Sequence, residues 1–381
     1  MLQEFLDAKP LFYDTIDYTR MPKVYERIKE QLPSPKIIHL IGTNGKGTTG
    51  RFLASALNSL GFSVGHYTSP HILKFNERIW LNGSDISDEA LEFAHKKLQN
   101  ILHSKESQAL SYFEYTTLLS IIIFNECDYV VMEAGLGGEH DATAVFEKLL
   151  TLVTPIAIDH EAFLGDTIIQ IATTKLNAVT KEAILARQSF SEVYEIADTL
   201  AKKKNITMHK VDDVVDVKDI EMIKYITKDL ALPLYLQENL KLAVSGLKSL
   251  GLEYKKENFS NSRLFGRVSR FRKNIVVDVG HNTLAATSLL NALEGKKYVL
   301  VYNSYRDKDY KKILSILKPI IKRVEIISIE SKRGLLVEKL QTTLNELRIQ
   351  WSMYNSVESE EEYLVFGSFS VVEAFLKEFH G

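Results

Sequence analysis

The sequence predicts an α/β protein, a parallel sheet wrapped by helices followed along the chain by a second, smaller α/β domain. Three observations predict it. Short β-branched and apolar runs alternate with helix-periodic segments over most of the 381 residues. A turn rich in glycine, carrying a lysine and two threonines, joins the first of those runs to the first long helix. The alternation pauses at a polar stretch near residue 260 and then begins again.

Taken in order, residues 36–41 read as a buried strand and about 48–60 as a helix; 62–67 read as the next strand. Residues 87–103 and 111–126 have helical spacing. Residues 128–132 form a strand that runs into a second glycine cluster. The run 150–158 is strand-like and 166–179 helical. Residues 183–234 carry lysines and short apolar runs but no motif, and receive no assignment. A helix over 235–250 closes the first half. The polar residues of 257–263 mark the linker region. Strands at 275–278, 298–301, 324–327 and 363–366, with helices between them, make the smaller doubly wound domain. The predicted layout is an N-terminal P-loop-type domain over 1–259, a linker at 260–265 and a Rossmann-like domain over 266–381. The sequence shows no internal repeat and no low-complexity stretch.

Composition narrows the function. The net charge of −2 offers no basic field, which argues against nucleic-acid binding. Cys127 is the one cysteine, so no disulfide forms within the chain, and its apolar neighbours make it a core residue. The N-terminus lacks the basic start and apolar stretch of a signal peptide, and the most apolar run, 118–124, is too short to span a bilayer. The expectation is a cytoplasmic protein with no membrane partner.

The turn Gly42-Thr43-Asn44-Gly45-Lys46-Gly47-Thr48-Thr49 has the placement that phosphate binding needs. Glycines let backbone N–H groups turn toward phosphate oxygens, and a helix N-terminus adds favourable partial charge. Lys46 reaches terminal phosphates, and a threonine hydroxyl meets magnesium. The spacing departs from the standard phosphate-loop pattern, because Gly47 intervenes before the threonines. The competing reading is a plain glycine turn at a strand end.

That turn resembles the corresponding segment of the folylpolyglutamate synthases and dihydrofolate synthases, within the Mur-ligase superfamily. Further segments follow in the family's order: Tyr67-Thr68-Ser69-Pro70-His71-Ile72, Phe75-Asn76-Glu77-Arg78-Ile79, Tyr112-Phe113-Glu114, and Glu133-Ala134-Gly135-Leu136-Gly137-Gly138. Asp159-His160 with Phe163-Leu164-Gly165-Asp166, Gly266-Arg267, Asp278-Val279-Gly280-His281-Asn282, Asp307-Lys308-Asp309 and Gly367-Ser368 complete the set. The resemblance covers about 36–370 and is weakest over 183–234.

It implies a set of roles. Asn44, Gly45, Lys46, Gly47, Thr48, Asn239, Arg267 and Asp278 would bind ATP. Two magnesium ions are implied, one near Thr48, Ser69 and Glu133, the other including His160. Lys175 would be carbamylated by CO2, and the resulting anion would help hold the second ion. Lys46, Lys175, Arg267 and His281 would be the catalytic set. Tyr112, Phe113, Glu114 and Asp141 would lie on the pterin side. Taken alone, His160 reads as a partly buried histidine and Lys175 as a solvated helix lysine. The resemblance implies the other reading for each.

The implied activity is ATP-dependent ligation of L-glutamate to dihydropteroate and to reduced folates through an acyl phosphate, by a monomer whose partners are small molecules. Splitting the contacts between two domains would make closure a condition of reaction. This chain departs from the family pattern at three places. Glu139-His140-Asp141-Ala142-Thr143-Ala144 puts an acid where the family has a cation, Thr174-Lys175-Leu176-Asn177 stands for Glu-Lys-Ala-Gly, and Tyr235-Leu236 stands for His-Gln. Alternatives are a folylpolyglutamate synthase only, a Mur-type ligase for a cell-wall precursor, or, in a different class, a non-catalytic nucleotide-binding regulator.

Overall fold

The computed structural model describes residues 1–9 and 17–380. Its described residues form two compact units, Met1–Ala231 with Leu236–Arg263, and Leu232–Tyr235 with Leu264–Gly381.

The first unit is built on β1 (Lys36–Ile41), β2 (Val64–Tyr67), β3 (Ile79–Leu81), β4 (Ser84–Asp85), β5 (Tyr129–Glu133), β6 (Leu150–Val153), β7 (Glu182–Leu185) and β8 (Thr207–Lys210). Among the described residues they lie in the order β4-β3-β2-β5-β1-β6-β7-β8. The six from β2 to β8 in that order are parallel, and β3 and β4 add an antiparallel edge. β1 sits between β5 and β6, and five of its six residues are buried. That burial explains its unbroken apolar run, with one histidine as the exception.

The helix Lys46–Ser59 follows β1 and is buried over almost its whole length. Helices Asp88–Ile101 and Tyr112–Ile123 pack around Leu91, Leu98, Tyr115 and Leu118. Helices Ile168–Leu176 and Ser191–Lys204 pack around Ile171, Val193 and Leu200. No helix among the described residues is long and apolar enough to cross a membrane.

The second unit carries β9 (Ser269–Arg272), β10 (Ile275–Asp278), β11 (Tyr298–Tyr302), β12 (Ile321–Ile326), β13 (Trp351–Met353) and β14 (Tyr363–Phe366). Their order is β13-β12-β11-β14-β10-β9, parallel except for β9 against β10. This is the smaller α/β domain that the second alternation predicts. Its core gathers Leu300, Leu314, Leu340 and Phe366.

Three expectations change. The strand predicted over 150–158 ends at Val153. Pro155 has no N–H for a ladder, and His160 takes a left-handed φ of 56°, so residues 154–160 form a loop instead. The first long helix starts at Lys46, two residues before the predicted 48, because Gly45 at φ 90° supplies the turn that begins it. The unassigned 183–234 holds β7, β8 and the helices Ser191–Lys204 and Val217–Asp229, which extend the main sheet at one edge.

Candidate active site

The phosphate loop is lashed down on the side away from its helix. The Thr43 and Asn44 amides donate to the Pro155 carbonyl at 2.9 and 3.3 Å. The Thr43 hydroxyl donates to Ala157 O at 3.1 Å and accepts the Ala157 amide at 3.0 Å. Gly42, at φ 135°, lies so close to Thr154 that an added Cβ would stand 2.1 Å from its hydroxyl. The loop beside Pro155 therefore fixes the turn, and the first N–H groups of the helix Lys46–Ser59 remain for an anion. Lys46 Nζ rests 3.3 and 3.2 Å from Gly42 O and Thr43 O. The Thr48 hydroxyl donates to Gly45 O at 3.0 Å and accepts the Asn239 side-chain amide at 2.7 Å.

Glu133 ends β5 in register with Leu40 of β1, which delivers its carboxylate to the same place. One oxygen lies 3.8 Å from Lys46 Nζ. The other accepts the Thr68 hydroxyl and, at 3.2 Å, the Ser69 amide. A carboxylate together with the hydroxyls of Thr48, on the first turn of the helix after the loop, and of Ser69, whose amide that carboxylate accepts, is a donor set whose chemistry fits magnesium, which takes few protein oxygens and completes its shell with water and phosphate. No three His, Cys, Asp or Glu side chains converge on a common point among the described residues.

Lys175 stands in the last turn of the helix Ile168–Leu176, with 4% of its surface exposed. Its ammonium donates to Gly42 O at 2.9 Å. Burial, and then the charge of Lys46, push its pKa down to about 7, while Asp159 and Asp141 oppose them. His160 caps the short helix Glu161–Leu164, its amide donating to Asp159 Oδ1 at 2.8 Å. It follows directly on the loop that receives Thr43 and Asn44.

On the expected pterin side, Glu114 and Ser111 form a reciprocal cap at the start of the helix Tyr112–Ile123. Arg20 Nε adds a bond to Glu114 at 2.7 Å. Phe113 packs beneath Gly135, where an added Cβ would meet its ring at 2.6 Å. Tyr112 lies under the Arg78 guanidinium, 5.2 Å from ring centre to Cζ. Asp141 is buried and accepts the Leu136 amide at 2.8 Å, the Thr143 amide at 2.9 Å and the Thr143 hydroxyl at 2.6 Å. Burial raises its pKa against those donors. Asp141, Glu139, His140 and Tyr18 line a recess of about 270 Å³. The Glu139 carboxylate accepts the Asn177 amide at 2.9 Å, and its backbone N–H donates to Thr174 O at 2.9 Å. Two of the departures from the family pattern thus meet each other.

In the second unit, Asp278 ends β10 and is buried. It accepts Gly280 N at 2.7 Å, Val268 N at 2.9 Å and the Tyr235 hydroxyl at 3.3 Å. The Arg267 guanidinium sits over the Phe369 ring at 5.3 Å and donates to Gly266 O at 3.1 Å. His281 Nδ1 lies 3.3 Å from Val279 O, and Asn282 caps the helix Thr283–Ala292.

The structure thus gathers Lys46, Thr48, Ser69, Glu133, Asn239 and Lys175 around one phosphate loop. Sequence reasoning missed Thr68, whose hydroxyl holds Glu133, and Tyr235 as a partner of Asp278. Thr68 lies inside the segment 67–72 that carries the resemblance; nothing in the sequence pairs Tyr235 with Asp278.

No family model matches the chain. The dihydrofolate synthase/folylpolyglutamate synthase of Haemophilus influenzae is 30% identical to it, covering 93% of this chain and 92% of the relative. The crystal structure of Helicobacter pylori folylpolyglutamate synthetase superposes with a TM-score of 0.82 at 37% identity, covering 100% of this chain and 98% of that one. The structure of E. coli FolC in complex with DHPP and ADP gives 0.83 at 25% identity, covering 100% and 97%.

Proposed function

The chain belongs to the dihydrofolate synthase/folylpolyglutamate synthase family and is an ATP-dependent ligase, and on that premise we propose that it joins L-glutamate both to dihydropteroate and to reduced folates. The observation that carries the reading is the buried Lys175 ammonium bonded to the first glycine of the phosphate loop.

The substrate carboxylate attacks the γ-phosphorus of ATP, the bond to the β-phosphate oxygen breaks and ADP leaves. Lys46 and the first N–H groups of the helix Lys46–Ser59 take up the charge that develops. The amine of glutamate then attacks the acyl phosphate carbon, and inorganic phosphate departs with the amide formed. Magnesium, held by Glu133, Thr48 and Ser69, would neutralise phosphate charge. A second ion is assigned to His160 and to Lys175 in carbamylated form. A lysine with a pKa near 7 has the free amine that CO2 needs: the nitrogen attacks carbon, a C–N bond forms, and a proton passes to water. In the second unit, Arg267 is read as a phosphate-binding fork, Asp278 as a nucleotide contact and His281 as a group at the reacting centre. These three assignments rest on the resemblance, as do Asn44, Gly45, Gly47 and Asn239 for ATP and Tyr112, Phe113, Glu114 and Asp141 for the pterin. The chain is taken to work as a monomer in the cytoplasm.

A second reading has a specific observation behind it. Glu139 puts an acid on the recess beside Asp141, where the family pattern has a cation, and this favours a folylpolyglutamate synthase without the dihydropteroate step. Purified protein with ATP, magnesium and L-glutamate, given dihydropteroate or a reduced folate monoglutamate in separate tubes, decides between them by phosphate release and product mass. Product in both tubes establishes the bifunctional enzyme, and product with folate alone establishes the second reading. No product in either, with ATP still bound, sinks the folate assignment.

A further inference from the structure

His39 is the one polar side chain in the buried run 37–41 of β1, and the reaction has no step for it. Its surroundings give it another task. His39 Nε2 lies 2.8 Å from the Thr143 hydroxyl, which lies 2.6 Å from Asp141 Oδ1. Asp141 already receives the amides of Leu136 and Thr143, so its carboxylate is the acceptor of this chain of bonds. The single Thr143 hydroxyl proton therefore goes to Asp141, and the Thr143 oxygen must accept from His39. This fixes the imidazole as the tautomer protonated at Nε2. Nδ1 then keeps only a lone pair, and it has no hydrogen-bond partner among the described residues. A second proton there would be a buried, unanswered donor, so His39 stays neutral; complete burial and the charge of Lys148 act in the same direction.

The far end of this relay is functional ground. Asp141 holds the Leu136 amide of the second glycine cluster, and Asp141 and Ala144 form part of the wall of the recess. The Asp141 amide donates to Gly138 O at 3.2 Å, and the next residue, Glu139, is tied to Thr174 beside Lys175. Loop segment 135–144 has no regular structure before its short 3-10 turn, so its shape depends on such side-chain anchors. β1, by contrast, is among the most enclosed strands of the sheet.

We propose that His39 is a positioning residue: from the rigid central strand, through the Thr143 hydroxyl, it sets Asp141 and the recess wall that receives the acyl substrate. The inference rests on the ligase reading above for the identity of that substrate. It assigns His39 no contact with ATP, although the phosphate loop begins three residues later.

The test compares His39→Leu, which removes the donor, with His39→Gln, whose side-chain amide places an N–H near the position of Nε2. Steady-state kinetics are run with a reduced folate monoglutamate and with ATP as the varied substrate, alongside Tm. The expected result for His39→Leu is a KM for the folate raised about 10-fold and a KM for ATP within about 2-fold of wild type, with His39→Gln recovering most of the folate KM. Hydrogen exchange should quicken in 135–144 and stay unchanged in 42–48. A lowered Tm with both KM values at wild type would show a merely structural histidine and overturn the proposal. An equal rise in both KM values would overturn it as well, because the effect would not be confined to the recess wall. Should His39→Leu fail to fold, Thr143→Val breaks the same relay at its middle and is read in the same way. Wild-type protein that transfers no glutamate at all overturns the ligase reading and the inference with it.

Discussion

The Lys175 ammonium donates to the Gly42 carbonyl at 2.9 Å, so the end of the helix Ile168–Leu176 is tied to the first turn of the phosphate loop. A lysine held this way carries a signature in pH. Its folded pKa is lowered to about 7 from the ordinary 10.5. Between those values the unfolded chain binds the proton that the folded chain has released. Stability therefore rises with pH across that window, by up to roughly 1.4 kcal/mol per pH unit from this group. Below about pH 7 both states are protonated and the full cost of the buried charge is present. In CO2-free buffer, Lys175→Met should remove that slope and raise the urea midpoint at pH 7. Urea melts at pH 7, 8 and 9 on both proteins check it. A variant that keeps the wild-type slope would show that Lys175 does not titrate in this range.

The same residue predicts a dependence on dissolved CO2. A carbamate on Lys175, as proposed above, would form reversibly, so purging CO2 should lower ligase activity several-fold and bicarbonate should restore it. On that proposal Lys175→Met would lose a metal-binding anion, so its activity should fall at least about 100-fold and answer to neither treatment. Activity indifferent to purging in the wild type would remove the carbamate from the mechanism while leaving the ligase standing.

Asn239 predicts an effect confined to nucleotide. Its amide donates to the Thr48 hydroxyl at 2.7 Å, and its carboxamide lies where a side chain on Gly45 would have to go. Asn239→Leu leaves Thr48 short of a donor and presses on Gly45. A buried hydrogen bond of this kind is worth about 1–2 kcal/mol, so Kd for ATP by calorimetry should rise about 10-fold, while the folate Kd stays put. Equal weakening of both ligands would mean a general loss of structure.

Such residues show what the sequence could reveal. The phosphate loop, Glu133 and Lys175 were legible because each sits at a fixed distance from a strand or helix end, where local pattern reports position. The Glu114–Arg20 pair spans 94 residues and Asn239–Thr48 spans 191; only the folded chain brings these partners together. The strands of 182–210 were illegible for a different reason. β7 and β8 have four residues each, and β8 is an edge strand with a mostly exposed side-chain pattern, so neither shows a period. The three-residue edge strand β13 shares that character.

Glu139 predicts a change in substrate preference. Its carboxylate is exposed and bonded to Asn177. Glu139→Gln keeps an acceptor for Asn177 and removes the negative charge. Repulsion from an exposed charge is modest, so kcat/KM for anionic dihydropteroate should rise about 3-fold, and the value for a reduced folate should change less than about 2-fold. Equal gains on both substrates would detach Glu139 from pterin selection.

The last prediction concerns Tyr235 and Asp278. The carboxylate receives two backbone amides and the Tyr235 hydroxyl, and one of those amides belongs to Val268, held at a left-handed φ of 44° that a β-branched residue rarely adopts. Burial raises the pKa of Asp278 above the ordinary 3.8, against the pull of Arg267 and the three donors. Burial also pushes the Tyr235 phenol well above its ordinary range, so it remains a donor throughout. Tyr235→Phe deletes one donor to the ionised carboxylate and raises the Asp278 pKa further. A folded-state pKa above the unfolded one means that the folded chain holds the extra proton, so this group's contribution to stability is present at low pH and is lost as pH rises through the folded pKa. The cost of Tyr235→Phe should therefore be about 1 kcal/mol at pH 7.5 and shrink as the pH falls and the Asp278 carboxyl takes up its proton. Urea unfolding at pH 7.5, 6 and 4.5 measures the difference. A cost that is constant across the series would place the Tyr235 contribution in packing rather than in its bond to Asp278, and a cost that grows toward acid would mean that Asp278 is the donor and Tyr235 the acceptor.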